Sequence, residues 1–278
     1  MQTNMITCAY TICYNEIKNI DTWLKYTECF THRVVLDTGS TDGSFEKLKN
    51  SPNVIVEQKT FEPFDFSEAR NYCLSLVPKD TEWCLSPDMD EFFSINVLEE
   101  IEAVVKAHPQ VHNICYDRLD IRSKRVRIGP PEEISSNKIH KFGLFKWVHP
   151  VYEHIAYIGE GNCYEFYNPN LFLIHDQDST KPRNELYLEI MTRRHNEDQN
   201  DRWNNRYLLE HYYKQNDVMN FILIGCDFLK GADKEDSKVK HVMTIFERLI
   251  VAEENLPYDL KLKMFHALAD LSKLPQLS

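Results

Sequence analysis

The 278-residue sequence predicts an α/β fold with a mostly parallel central sheet, followed by an α-helical C-terminal subdomain. Three observations carry that expectation. Short β-branched and aromatic runs alternate with amphipathic segments over residues 1–117, the pattern of a parallel sheet covered on both faces. The pattern turns irregular over 118–180, and from 181 to 278 helical periodicity is nearly continuous. Hydrophobic residues at 42% and charged residues at 27% suit a folded chain and exclude disorder as its main state.

In chain order, strands are predicted at Ile6–Tyr14, Val34–Leu36, Val54–Val56, Trp83–Leu85 and Val111–Tyr116, each bounded by turn residues. Apolar residues at helical spacing predict helices at Ile17–Phe30, Gly43–Lys49, Ser67–Leu76 and Asn96–Ala107. Residues 118–180 carry Pro130 and Pro131 and two strand-like pieces, Ile139–Trp147 and Leu171–Ile174. Helical spacing from Asn184 to Leu274 is broken at Asn216-Asp217, Gly231-Ala232 and Leu256-Pro257, which predicts three or four antiparallel helices.

No uncharged apolar run reaches the roughly 18 to 20 residues needed to cross a bilayer. The opening MQTNMITCAY lacks a basic n-region and a small-residue cleavage site, so a cytoplasmic location is expected. Of eight cysteines, Cys8, Cys13, Cys73, Cys84 and Cys115 sit in apolar runs and none forms a Cys-x-x-Cys pair, which fits free thiols in a reducing compartment. The net charge of -11 is uneven: -10 over 1–117, +5 over 118–150 and -6 over 151–278. Arg118, Arg122, Lys124, Arg125 and Arg127 in the middle stretch fit a solvated hairpin or a local contact for an anionic partner.

In parallel sheets ligands bind beyond the carboxyl ends of the strands. The unusual polar residues fall there: Asn15 and Glu16 after the first strand, Asp37 after the second, Asp88 and Asp90 after the fourth. Two carboxylates two residues apart in an extended segment point to one side and repel, and a hard divalent cation relieves that repulsion. In the turn Asp37-Thr38-Gly39-Ser40-Thr41-Asp42-Gly43-Ser44, Gly39 and Gly43 permit positive φ and Ser40 or Asp42 can cap the following helix. Asp37 is left to accept hydrogen bonds, for instance from a nucleobase imide.

Thr11-Ile12-Cys13-Tyr14-Asn15-Glu16, the Val35 to Gly43 turn, Ser67-Glu68-Ala69-Arg70-Asn71 and Asp88-Met89-Asp90-Glu91 together resemble, in order and spacing, the landmarks of family 2 glycosyltransferases with the GT-A fold. Trp147-Val148-His149-Pro150-Val151-Tyr152-Glu153, His175 and Arg183-Asn184 resemble later segments of the branch that often carries tetratricopeptide-like helices, although that branch more often has His and Glu adjacent. The resemblance implies a GT-A domain at 1–180, with a nucleotide-binding half at 1–117 and an acceptor-side half at 118–180, before the helical subdomain at 181–278. It implies a metal-dependent inverting transfer from a nucleotide-sugar donor with Mn²⁺ or Mg²⁺ as cofactor. Asp37 would read the nucleobase, Asn15 and Glu16 would line its pocket, and Arg70 would lie near the diphosphate. Asp90 would bind the cation, with Asp88 and His175 as further ligands, Asp88 facing the ribose or a metal-bound water.

Glu153 is the first candidate for the catalytic base, Glu91 the second, and Asp176 or Asp178 the third. Trp147, His149 and Arg125 are acceptor-side candidates, and Trp147 fits a core position equally well. The acceptor is open between a saccharide, a lipid-linked sugar, a protein side chain and a modified base in DNA. Two other classes fit parts of the sequence. A nucleotidyltransferase would carry a glycine-rich basic loop after its first strand, where Tyr14-Asn15-Glu16-Ile17-Lys18-Asn19 has no glycine. A non-catalytic binding protein would work through the helical tail.

Overall fold

The computed structural model describes residues 5–93, 96–121, 125–127, 136–176, 183–252 and 256–273. The chain separates into two compact units, Met1–Lys181 and Pro182–Ser278. The first runs β1 (Thr7–Cys13), α1 (Ile20–Tyr26), β2 (His32–Asp37), α2 (Ser44–Lys49), β3 (Ile55–Gln58), α3 (Phe66–Ser75), β4 (Trp83–Leu85), β5 (Glu91–Phe93) and α4 (Val97–Ala107). It continues with β6 (Asn113–Asp120), β7 (Arg125–Arg127), β8 (Ser136–Lys141), β9 (Phe145–Val148), β10 (His154–Tyr157) and β11 (Glu165–His175).

The nine-stranded sheet has the order β3-β2-β1-β4-β8-β6-β11-β5, with β7 on β6, and β9 and β10 form a separate hairpin. β3, β2, β1 and β4 are parallel neighbours. β8 is antiparallel to both β4 and β6, and β11 is parallel to β6, so β4, β6 and β11 also run one way. The carboxyl ends of six strands therefore share one edge. Alternation along the strands divides the side chains between two cores: Ala9, Cys13, Val35, Trp83 and Leu85 pack on one face, Cys8, Tyr10, Val34, Leu36 and Cys84 on the other. Burial raises the thiols of Cys13 and Cys73 to about 12, so they act as small hydrophobes, and all eight cysteines are free.

Several expectations are corrected. The helix expected over Ile17–Phe30 shortens to α1, because residues 15–17 spend their backbone N–H groups on another loop: Asn15 donates to Ser40 Oγ (2.8 Å), Glu16 to Ser44 Oγ (2.9 Å) and Ile17 to Asp42 Oδ2 (3.1 Å). The N-cap position of α2 is Gly43 at φ 91°, Asp42 Oδ1 accepts from Ser44 N (3.0 Å) at the helix start, and Ser40 Oγ is taken by Asn15 N instead. Ile139–Trp147 is not one strand. Gly143 at φ 80° turns the chain between β8 and β9, which belong to different sheets.

Among its described residues the second unit has five helices rather than three or four: α5 (Arg183–Glu197), α6 (Arg202–Lys214), α7 (Val218–Leu229), α8 (Ser237–Ala252) and α9 (Tyr258–Lys273). The additional break follows Glu197, where Asp201 Oδ1 accepts from Asn204 N (3.0 Å) and starts α6 with neither glycine nor proline. Phe221, Ile222, Ile224, Phe228 and Leu229 bury α7, and a Cβ on Gly225 would lie 2.6 Å from Cζ of Phe246. No helix among the described residues is long and apolar enough to cross a membrane.

Candidate functional site

The site begins where β1 and β2 end. Asn15 has a left-handed backbone, φ 54°, uncommon outside glycine, and its Oδ1 accepts from Thr41 N at 2.8 Å. Glu16 accepts from Asn19 Nδ2 at 2.7 Å. Both therefore brace the paired loops 13–17 and 38–44. Asp37 is 0% exposed. Its Oδ1 accepts from Gly39 N (3.0 Å), Ser40 N (2.9 Å) and Gln58 Nε2 (2.9 Å), and Gln58 is its register partner on β3. Its Oδ2 is buried without a partner.

After β4 a chain of alternating charges runs through the site. Glu153 Oε1 takes Arg70 Nε at 2.7 Å, and Arg70 Nη2 reaches Asp88 Oδ1 at 2.7 Å. Lys138 Nζ bridges Asp88 Oδ2 (2.9 Å) and Glu91 Oε2 (2.8 Å). Arg118 joins Glu91 Oε1 (2.9 Å) to Asp120 Oδ1 (2.9 Å), and Asp120 Oδ1 lies 2.8 Å from His175 Nδ1. Asp90 Oδ2 lies 3.4 Å from His175 Nε2. Burial opposes ionisation of Asp88, but Arg70 and Lys138 outweigh it and hold this carboxyl well below the usual range. Asp120 is likewise lowered against burial by His175 and Arg118. Burial would depress His175, but its bond to Asp90 prevails and raises it.

These contacts separate the expected residues. Asp88 holds two cations while Asp90 approaches His175, so the two carboxylates of Asp88-Met89-Asp90 have different partners. Glu91 has a side chain 0% exposed, clamped between Lys138 and Arg118, with Oε2 also accepting from Asp88 N (2.9 Å). That is the placement of a strut. No cluster of three His, Cys, Asp or Glu side chains fit to hold a metal ion occurs among the described residues. The pair Asp90 and His175 offers one hard oxygen and one imidazole nitrogen, which suits Mg²⁺ or Mn²⁺ completed by substrate phosphates and water. Asp88, facing Arg70 and Lys138, does not fit as a ligand.

α3 fixes the segment around Trp147. Asn71 donates through Nδ2 to Trp147 O (2.9 Å) and accepts from Trp147 N (2.8 Å), and Phe66 N donates to Pro150 O (3.0 Å). The Trp147 ring is buried, 3% exposed, with the Arg70 guanidinium 4.6 Å from its centroid, so it is a core residue supporting Arg70 and not an open sugar platform. Its Nε1 donates to Tyr10 Oη (2.9 Å), which lies 3.0 Å from His140 Nε2. His149 and Tyr152 have φ 69° and 55°, and the His149 ring lies 5.1 Å from that of His154. Tyr152 is exposed beside Glu153. Asp176 is exposed, and its N donates to Asp90 O at 2.9 Å. The backbone of Arg125 lies in β7; its side chain, with Arg122, Lys124 and Asp178, lies outside the described residues.

Sequence reasoning missed Lys138, Asp120 and Gln58, and saw Arg118 only as part of a basic stretch. Gln58 had a signal in its place at the end of an apolar strand. Lys138 and Asp120 had none, because only strand register brings them to the site.

No known family model matches the chain, and no curated protein matches it. Among solved structures, that of S. aureus TarS aligns with 96% of this chain and 55% of its own, at 14% identity and a TM-score of 0.50. A structure of S. aureus TarS 1-349 aligns over 96% of this chain and 90% of its own, at 15% identity and a TM-score of 0.49. A 4-diphosphocytidyl-2C-methyl-D-erythritol synthase from Anaerococcus prevotii aligns over 50% of this chain and 71% of its own, at 11% identity and a TM-score of 0.34. The chain spans about half the length of the first TarS structure. At these identities the likeness is one of fold, and the fold is GT-A, with a mostly parallel sheet followed by C-terminal helices.

Proposed function

We propose that the chain is a glycosyltransferase that moves a sugar from a nucleotide-sugar donor to an acceptor hydroxyl or other nucleophile, using Mn²⁺ or Mg²⁺ and inverting the anomeric carbon. The observation that supports it most is Asp37. A buried carboxylate oxygen without a donor is costly. An imide N–H, as on uracil or thymine, would satisfy Oδ2 where nucleotide binding uncovers it, while three donors already occupy Oδ1. Asn15 and Glu16 brace the loops around that base, and Arg70 and Lys138 supply positive charge for a diphosphate.

A cation held by Asp90 and His175 would stabilise the charge that develops on the departing nucleoside diphosphate. Glu153 is the base in this reading. Arg70 orients it through Oε1, and it takes the acceptor's proton as the acceptor oxygen attacks the anomeric carbon and the bond to the diphosphate oxygen breaks. Glu91 lacks the access that role needs. The test is calorimetric titration with uridine, thymidine, guanosine and cytidine diphosphates in Mn²⁺, beside a donor-hydrolysis assay. Imide-bearing nucleotides are expected to bind, and Asp37→Ala to weaken them by about 1.5–3 kcal/mol. Equal binding by Asp37→Ala removes Asp37 from the site, and full turnover in excess chelator removes the cation.

A further inference from the structure

We propose that Tyr10 is a positioning residue for Arg70, acting through a one-way hydrogen-bond relay, Trp147 to Tyr10 to His140, that fixes the indole ring on which the guanidinium rests. Its effect on transfer rests on the base reading of Glu153 above; its effect on Arg70 does not. An indole nitrogen can only donate, so Trp147 Nε1 gives its proton to Tyr10 Oη at 2.9 Å. The hydroxyl then has its one proton for His140 Nε2 at 3.0 Å, which must accept it. The imidazole keeps its own proton on Nδ1, 3.3 Å from Lys141 O. No other arrangement of protons serves all of these atoms.

The relay crosses between sheets. Tyr10 on β1 and His140 on β8 belong to the main sheet, whereas Trp147 is on β9 of the separate hairpin and Glu153 lies immediately before β10 of that hairpin. Asn71 holds the Trp147 backbone, and the relay holds its ring. Tyr10 and His140 are fully buried and Trp147 nearly so, which keeps water from replacing a lost partner. Arg70 needs a fixed ring because only its Nε and Nη2 are paired, to Glu153 and Asp88. Nη1 is buried without a hydrogen-bond partner, and the indole face lies 4.6 Å from Cζ. A tilt of the ring moves the fork, and with it the Glu153 carboxylate that Nε holds.

The experiment uses the full chain and Tyr10→Phe, which keeps the ring and removes the hydroxyl. Exchange of the Arg70 Nε–H proton with water is measured in ¹⁵N spectra, the signal being identified by its loss in Arg70→Lys. Tyr10→Phe is expected to speed that exchange roughly 3–10-fold and to leave the amides of β1 and β4 unchanged, which a general loss of stability would not. Hydrolysis of uridine diphosphate glucose and uridine diphosphate N-acetylglucosamine in Mn²⁺ is the second readout. Its kcat is expected to fall roughly 10–100-fold, and to fall little further when Tyr10→Phe is added to Glu153→Gln. If Tyr10→Phe does not fold, Trp147→Phe, which removes the indole donor, is expected to speed the Arg70 exchange in the same direction. Parent-like exchange in the folded variant overturns the positioning of Arg70, and equal losses of kcat with and without Glu153→Gln overturn the route to the base. Absence of turnover by the parent chain on both sugar nucleotides counts against the transfer reading, while the exchange rate still decides the role of Tyr10.

Discussion

Arg70 joins Glu153, Asp88 and the face of Trp147 through a single planar group. Lysine cannot reproduce that fork, so Arg70→Lys is expected to lose most transfer activity, and Arg70→Met to destabilise the fold by leaving the half-buried Asp88 and Glu153 without their shared cation, read by urea unfolding. Glu153→Gln keeps size and polarity but not the proton acceptor; transfer is expected to fall roughly 10²-fold or more with donor affinity nearly constant. Asp90→Asn is expected to do the reverse and weaken Mn²⁺-dependent donor binding. His140 supplies a separate pH signature. Burial lowers it to about 4, against 6.5 unfolded. The unfolded chain thus takes up a proton that the folded chain refuses, and this residue makes stability fall as pH drops from about 6.5 to about 4. The slope approaches about 1.4 kcal/mol per pH unit and is expected to vanish from unfolding curves of His140→Gln.

At the level of elements, local chemistry was legible and pairing was not. Asp37, Asp88 and Asp90 declared themselves because each follows an apolar strand within a few residues. The helix over Ile17–Phe30 was overread because its apolar spacing continues through residues whose N–H groups the 38–44 loop claims. Lys138 and Asp120 stayed hidden because they reach the site only through β8 against β4 and β6 against β11, and register is not written in a local pattern. Trp147 illustrates the limit, since only the fold shows its ring covered by Arg70. In the helical unit the close approach at Gly225 is decisive. Alanine gains about 1 kcal/mol of helix propensity, but its methyl meets the buried Phe246 ring, and overpacking costs about 1–3 kcal/mol. Gly225→Ala is expected to lower the melting temperature, and Gly225→Ala with Phe246→Leu to recover part of the loss.

For the whole molecule, the two compact units each enclose buried hydrophobic residues, and calorimetry is expected to resolve two unfolding transitions. Uridine diphosphate with Mn²⁺ at 100 times its Kd is expected to stabilise one by about 2.7 kcal/mol, while Gly225→Ala lowers the other. A single transition moved equally by both would show that the units unfold as one. The alternating chain from Glu153 to His175 also bears on inheritance. Neutralising Lys138 alone leaves Asp88 with Arg70 and Glu91 with Arg118 but removes the cation between the two carboxylates, whereas Lys138→Met with Glu91→Gln removes one of those carboxylates as well. Positions 91, 118 and 138 are therefore coupled as a set, so sequences descended from a common ancestor with this one should keep all three or replace them in compensating pairs.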